Sequence, residues 1–135
     1  MTLEGGCLCQ STRFQVSGTA RSPCFCHCRS CRLAAGAPFV AWASFPSAEF
    51  TLTKGNLCPY KSSCDVTRGF CGSCGTALTY AHRGRANELD IALATLDDAS
   101  SIPPEFHIWV SHKLPWVVLS DGLPQHPEWR ERQES

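Results

Sequence analysis

Ten cysteines in 135 residues, gathered into C-x-C and C-x-x-C runs, constrain this chain more than any other feature. Cys26-His27-Cys28-Arg29-Ser30-Cys31 puts three soft sulfur ligands within a single turn of chain. That is the number a catalytic zinc uses when one coordination position stays open. Cys7-Leu8-Cys9 upstream and Cys71-Gly72-Ser73-Cys74 downstream supply four more sulfurs, the number a closed structural zinc needs. A zinc–thiolate bond is about 2.3 Å, so sulfurs in a tetrahedron stand about 3.8 Å apart. In the run Cys71-Gly72-Ser73-Cys74-Gly75 the glycines permit the positive-φ turn that folds both sulfurs toward one ion. This knuckle must find two more ligands elsewhere, and Cys7 and Cys9 offer two and no more.

Cys24 leaves an alternative open at the other cluster. In an extended strand residues 24, 26 and 28 share a face, but successive ones are about 6.5 Å apart. Three alternating sulfurs therefore reach one ion only through a sharp bend, expected at Cys26-His27-Cys28. The reading adopted is Cys26, Cys28 and Cys31 as ligands, with Cys24 outside. Were Cys24 to ligate, the site would close as four cysteines and lose its open position. Cys58 and Cys64 lack a close cysteine partner and read as ordinary thiols.

Composition narrows the class. Hydrophobic residues make up 43% and charged residues 18%, which argues for a packed core rather than disorder. At 135 residues the chain reads as one domain, with a core over about 3–124 and a polar tail over 125–135 that frays. Lys+Arg and Asp+Glu balance at 12 each, which disfavours a nucleic-acid partner. An even cysteine count also fits a disulfide-rich secreted domain. Met1 to Gly6, however, has neither the basic nor the apolar segment of a signal peptide, and no apolar run approaches a membrane span. Clustered cysteines suit metal better than bridges, and the expected setting is a reducing cytoplasm without membrane attachment. The sequence leaves homo-oligomerisation open.

The element pattern is mainly β. Gly5-Gly6 reads as a tight turn, Thr12, Phe14 and Val16 as a strand, and residues 19–26 as another strand, at an edge or start because of Pro23. Cys28 to Ala35 predicts a short helix stopped by Gly36 and Pro38. Strands follow at Phe39 to Phe45, Phe50 to Thr53, Ala77 to Tyr80, Glu88 to Leu96, Phe106 to Val110 and Trp116 to Leu119. Among the polar candidates, His27 should point away from the sulfurs beside it, and His107 toward a pocket or the surface. His82, His112 and His126 read as loop residues, Asp97 and Asp98 as turn residues, and Trp42, Trp109 and Trp116 as core. Arg29 and Arg32 flank the cysteine trio and could hold a carboxylate.

Gly5-Gly6-Cys7-x-Cys9, Cys26-His27-Cys28-x-x-Cys31-Arg32, Phe70-Cys71-x-x-Cys74-Gly75-Thr76, Ala94-Thr95-Leu96-Asp97-Asp98 and His107-Ile108-Trp109-Val110 together resemble the glutathione-dependent formaldehyde-activating enzyme family, which includes centromere protein V. The resemblance runs in order from Gly5 to about Pro124. It implies a zinc-stapled β-tent fold of stacked antiparallel sheets with one or two short helices, like that of a nucleotide-release chaperone of Rab GTPases. It also implies two zinc ions per chain. The structural one would be held by Cys7, Cys9, Cys71 and Cys74, and the catalytic and more labile one by Cys26, Cys28 and Cys31. The implied activity is that of a carbon–sulfur lyase of the S-(hydroxymethyl)glutathione synthase type, with a small thiol and an aldehyde as partners. His112 stands where the family commonly has an acidic residue, and Cys24 and Cys64 are extra thiols. The rival class is a non-enzymatic zinc-binding module that docks a protein.

Overall fold

The computed structural model describes residues 2–130. Ten strands form two sheets. β1 (Thr2–Gly6), β2 (Arg13–Ser17) and β5 (Phe50–Lys54) make a three-stranded sheet in the order β1-β2-β5. The other seven are β3 (Arg21–Cys26), β4 (Val40–Pro46), β6 (Cys58–Lys61), β7 (Val66–Phe70), β8 (Ala77–His82), β9 (Glu88–Ala92) and β10 (Phe106–Ile108), in the order β10-β3-β4-β9-β8-β7-β6. All pairings within the sheets are antiparallel except β10 with β3, which is parallel. Among the described residues a single α-helix, α1 (Arg29–Ala35), follows β3. Among the described residues no helix is long and apolar enough to cross a membrane.

Strand alternation gives the large sheet two distinct faces. Ala43, Phe45, Leu78 and Ile91 face the small sheet and pack with Phe14 and Val16 into the main core. The opposite parity carries Cys24 and Cys26 on β3, Trp42 and Ser44 on β4, Asp90 on β9, Tyr80 on β8 and Arg68 on β7. Cross-strand register aligns them, with Cys24 opposite Trp42, Ser44 opposite Asp90, Asp90 opposite Tyr80 and Tyr80 opposite Arg68. That outer face builds the site.

Several expectations need correction. Gly5 and Gly6 lie in β1 rather than a turn. A Cβ on Gly5 would meet the Thr95 carbonyl oxygen at 2.5 Å and the Phe14 ring at 2.6 Å, so the glycine serves close approach. Pro23 sits in an interior strand, tolerated because the β3–β4 register shifts between Arg21 and Cys24. The strand expected through Leu96 stops at Ala92. A 3-10 turn over Leu93–Thr95, held by Thr95 Oγ1 donating to the Ala92 carbonyl at 2.7 Å, lets both Leu93 and Leu96 enter the core. Trp116 to Leu119 is not a strand, and Trp116 is exposed. The edge of β10 that it would need is taken by the tail. Gln125 bridges His107, His126 N–H donates to the His107 carbonyl at 2.9 Å, and Trp109 N–H to Glu128 at 2.9 Å. Residues 125–130 are therefore tied down rather than frayed; 131–135 lie outside the described residues.

Candidate functional site

Two groups of sulfurs converge. Cys7 and Cys9 lie between β1 and β2, and Cys71 and Cys74 between β7 and β8, so the four come from different sheets. Their sulfurs fall within 4.8 Å of one another, with Cys7 to Cys9 at 3.6 Å and Cys9 to Cys71 at 3.8 Å. These separations match the tetrahedral spacing a zinc ion requires. Both loops close alike. Cys7 N–H donates to the Thr12 carbonyl at 3.1 Å and Cys71 N–H to that of Thr76 at 3.0 Å. Gly75, at φ 81°, makes the turn after Cys74. Backbone N–H groups aim at sulfur, from Thr12 to Cys7 at 3.3 Å and from Ser73 to Cys71 at 3.4 Å. The Ser11 hydroxyl beside Cys71 pulls that thiol down to about 5, and Thr76 pulls Cys74 down to about 7. Cys58 Sγ packs on Gly72, where an added Cβ would meet it at 2.6 Å. Cys64 is exposed, and none of the ten cysteines forms a disulfide.

The second group is Cys26, Cys28 and Cys31. Cys26 ends β3, Cys28 is the N-cap of α1 with φ −65° and ψ 153°, and Cys31 lies in the first turn. The bend expected at Cys26-His27-Cys28 is thus the step from strand to helix cap. Cys31 N–H donates to Cys28 Sγ at 3.4 Å, the role a serine or aspartate oxygen usually plays at an N-cap. Hydrogen bonds from the Cys26 and Cys31 thiols hold Cys28 far below the ordinary thiol range, at about 2, and push Cys26 up in return. Cys24 belongs to neither group; it is buried, and burial pushes its thiol up to about 12.

All three sulfurs line a cavity of about 1280 Å³ on the outer face of the large sheet. Trp42, Tyr80, Phe106 and Ile108 give it apolar walls, and Arg68, Arg85 and Asp90 polar ones. Asp90 accepts from Ser44 Oγ at 2.5 Å and from Arg85 Nη2 at 3.1 Å. Arg68 is 9% exposed, lies over the Tyr80 ring with its guanidinium carbon 5.0 Å from the centroid, and points Nη2 at Cys31 Sγ across 3.8 Å. Sequence reading missed Arg68, Tyr80, Asp90 and Arg85. Nothing local marks Arg68, Tyr80 and Asp90, and only strand parity carried across the β7–β8 and β8–β9 pairings puts them together. Arg85 reaches Asp90 from the turn between β8 and β9.

The remaining candidates sort by environment. His27 is fully buried and points away from the cavity, with Nε2 2.9 Å from His107 Nδ1. His107 faces neither a pocket nor the surface. It stacks on Phe25 at 4.9 Å and meets Asp121 Oδ2 through Nε2 at 2.7 Å. Asp97 pairs with Arg13, and Asp98 closes the 98–101 turn. His82, His112 and His126 line the cavity, as does exposed Arg29, while Arg32 does not. Trp42 is buried, Trp109 half-buried and Trp116 exposed.

Comparison with known proteins adds a family and a fold. The family model for the glutathione-dependent formaldehyde-activating enzyme matches residues 2–112. No curated protein matches the chain. A solved crystal structure of a Rhodobacter sphaeroides protein is 22% identical, with a TM-score of 0.58 over 76% of this chain and 92% of that one, a likeness of fold.

Proposed function

Because this chain belongs to the glutathione-dependent formaldehyde-activating enzyme family, we propose that it is a zinc-dependent carbon–sulfur lyase that adds a small thiol to an aldehyde such as formaldehyde, or catalyses the reverse. The observation that carries this reading is the trio Cys26, Cys28 and Cys31, whose sulfurs converge and line a large cavity. The four-cysteine group joins the two sheets and takes the structural role. A zinc ion held by the trio would supply a position that favours a substrate thiol as its thiolate at neutral pH. Three thiolates around a dication leave one net negative charge, which suits delivery of a soft nucleophile better than generation of hydroxide.

The chain's own residues frame the reaction. Trp42, Tyr80, Phe106 and Ile108 give a thiol's carbon chain an apolar surface beside the sulfurs. Arg68 offsets the negative charge of the trio through its contact with Cys31. In the addition a sulfur–carbon bond forms, the carbonyl π bond breaks, and the thiol proton ends on the new hydroxyl oxygen.

Metal content and turnover test the reading together. Wild type should hold two zinc ions per chain and form the thiol–aldehyde adduct well above the buffer rate. Cys28→Ser should lose one ion and at least about 100-fold in rate, the scale of a lost reaction-centre group. Cys24→Ala should keep both ions. A Cys28→Ser protein with full zinc and full activity would refute the assignment. Two tightly held ions with no thiol-exchangeable position would favour a protein-docking module instead.

A further inference from the structure

We propose that Arg68 makes the cavity a site for a thiol that carries a carboxylate two or three bonds from its sulfur, a short mercaptocarboxylate. This rests on the reading of Cys26, Cys28 and Cys31 as the place where substrate thiol binds.

Arg68 is a buried cation to which no carboxylate of the described residues is paired. Its side chain projects from the middle of β7 toward Tyr80 and Cys31. Among the described residues it makes no salt bridge. The carboxylates nearest in register are already engaged, Asp90 by Ser44 and Arg85, and Glu88 by Arg85 and Arg21. The contact with Cys31 Sγ, at 3.8 Å, is long for a hydrogen bond even to sulfur. A cation over a tyrosine face recovers only part of the cost of desolvating the charge. The trio's net negative charge balances the guanidinium in part, but leaves its Nε–H without an acceptor.

Trp42 gives an independent pointer. Its indole Nε1–H is also buried without a hydrogen-bond partner, and its ring lies 6.0 Å from that of Tyr80. Two donors without acceptors thus belong to residues that pack against Tyr80 and line one cavity with Cys26, Cys28 and Cys31. Buried donors are nearly always satisfied. A carboxylate answers the guanidinium, because it offers two acceptor oxygens and a charge and brings no donor. A neutral aldehyde offers one weak acceptor.

Position then limits the length of the ligand. The guanidinium touches the Cys31 sulfur, so an anion that meets it lies beside the trio. In glutathione the thiol is flanked by amides and the carboxylates stand several bonds further away. Those would reach toward exposed Arg29 and Arg130 at the rim. A short mercaptocarboxylate places sulfur and carboxylate close enough for the trio and Arg68 together.

The test is binding to the zinc-loaded full chain, by calorimetry, of mercaptopropionate, its neutral counterpart mercaptopropanol, and glutathione. Mercaptopropionate should bind about tenfold or more tighter than mercaptopropanol, the effect of one charge-assisted hydrogen bond, and tighter than glutathione. Arg68→Met should erase that preference, the two short thiols then binding alike. Arg68→Lys, which keeps the charge and loses the Nε–H, should retain only part of it. Equal binding of the two short thiols by wild type would overturn the inference and leave the lyase reading standing, with Arg68 serving the sulfurs alone. So would a preference that survives in Arg68→Met. Failure of every thiol to bind would overturn both. The wild-type comparison decides the matter even if a variant fails to fold.

Discussion

His27 sits between two of the clustered sulfurs yet turns its ring to the back of the sheet, toward His107 and Asp121. The Leu123 N–H and His107 hold the Asp121 carboxyl below its usual range, so Asp121 accepts at physiological pH. His107 then donates from Nε2 and accepts at Nδ1 from His27 Nε2–H. His27 Nδ1 is left buried without a partner, and a proton there would have nothing to meet. Burial, and then His107, hold the His27 imidazole down to about 4 from its ordinary 6.5. Between those values the unfolded chain binds a proton that the folded chain does not. Stability should therefore fall as pH drops from 6.5 to about 4, by on the order of 3 kcal/mol, and level off below. Urea unfolding across that window checks this, and His27→Gln should flatten the slope. Superposed curves for the two proteins would sink the account.

At the scale of elements, β1 shows how a small side chain decides a strand's position. Gly5 pairs with Phe14 on β2 and bridges Leu96, with no room for a Cβ against the Thr95 carbonyl and the Phe14 ring. Backbone stands on one side and a fully buried ring on the other, so neither yields at low cost. Gly5→Ala should destabilise the fold by about 1–3 kcal/mol, the usual cost of overpacking. Denaturant titration measures it, and a neutral outcome would mean that β1 can lift from the core. Helix α1 is short and makes few packing contacts. Its work is at its start, where the cap of the first turn is itself one of the three converging sulfurs.

Across the whole molecule, the four-cysteine group brings the loop between β1 and β2 of the small sheet to the loop between β7 and β8 of the large sheet. Cys7 and Cys71 lie inside the main core. Metal-binding free energy at such a site is folding free energy, because the ligands are scattered in the unfolded chain. The two sulfur groups should therefore respond differently to damage. Cys71→Ser should lower the melting temperature by on the order of 10 °C or more, with Cys28→Ser much milder, since its group hangs from one sheet and one helix cap. Thermal unfolding of the two variants side by side tests this division. Equal losses would show that both groups brace the fold.

What could be read along the chain was what short-range chemistry encodes. Sulfurs two or three residues apart can meet through local turns, so the pairs Cys7/Cys9 and Cys71/Cys74 and the trio Cys26, Cys28 and Cys31 were legible, whereas the meeting of the two pairs is tertiary. The period-two run Thr12, Phe14 and Val16 and the Gly36 stop of α1 were legible for the same local reason. Trp116 to Leu119 was misread because strand formation needs a free edge, and the tail had already covered that of β10. Arg68, Tyr80 and Asp90 were invisible as a site, since each looks like an ordinary strand residue. They become neighbours only when β7, β8 and β9 pair in one register, and a shift of one residue would send each to the opposite face. The trio and each cysteine pair were thus determined by the sequence alone, and the joining of the two pairs by the fold. The cavity beside the trio, and the cation that faces it, were decided by the pairing of strands far apart in the chain.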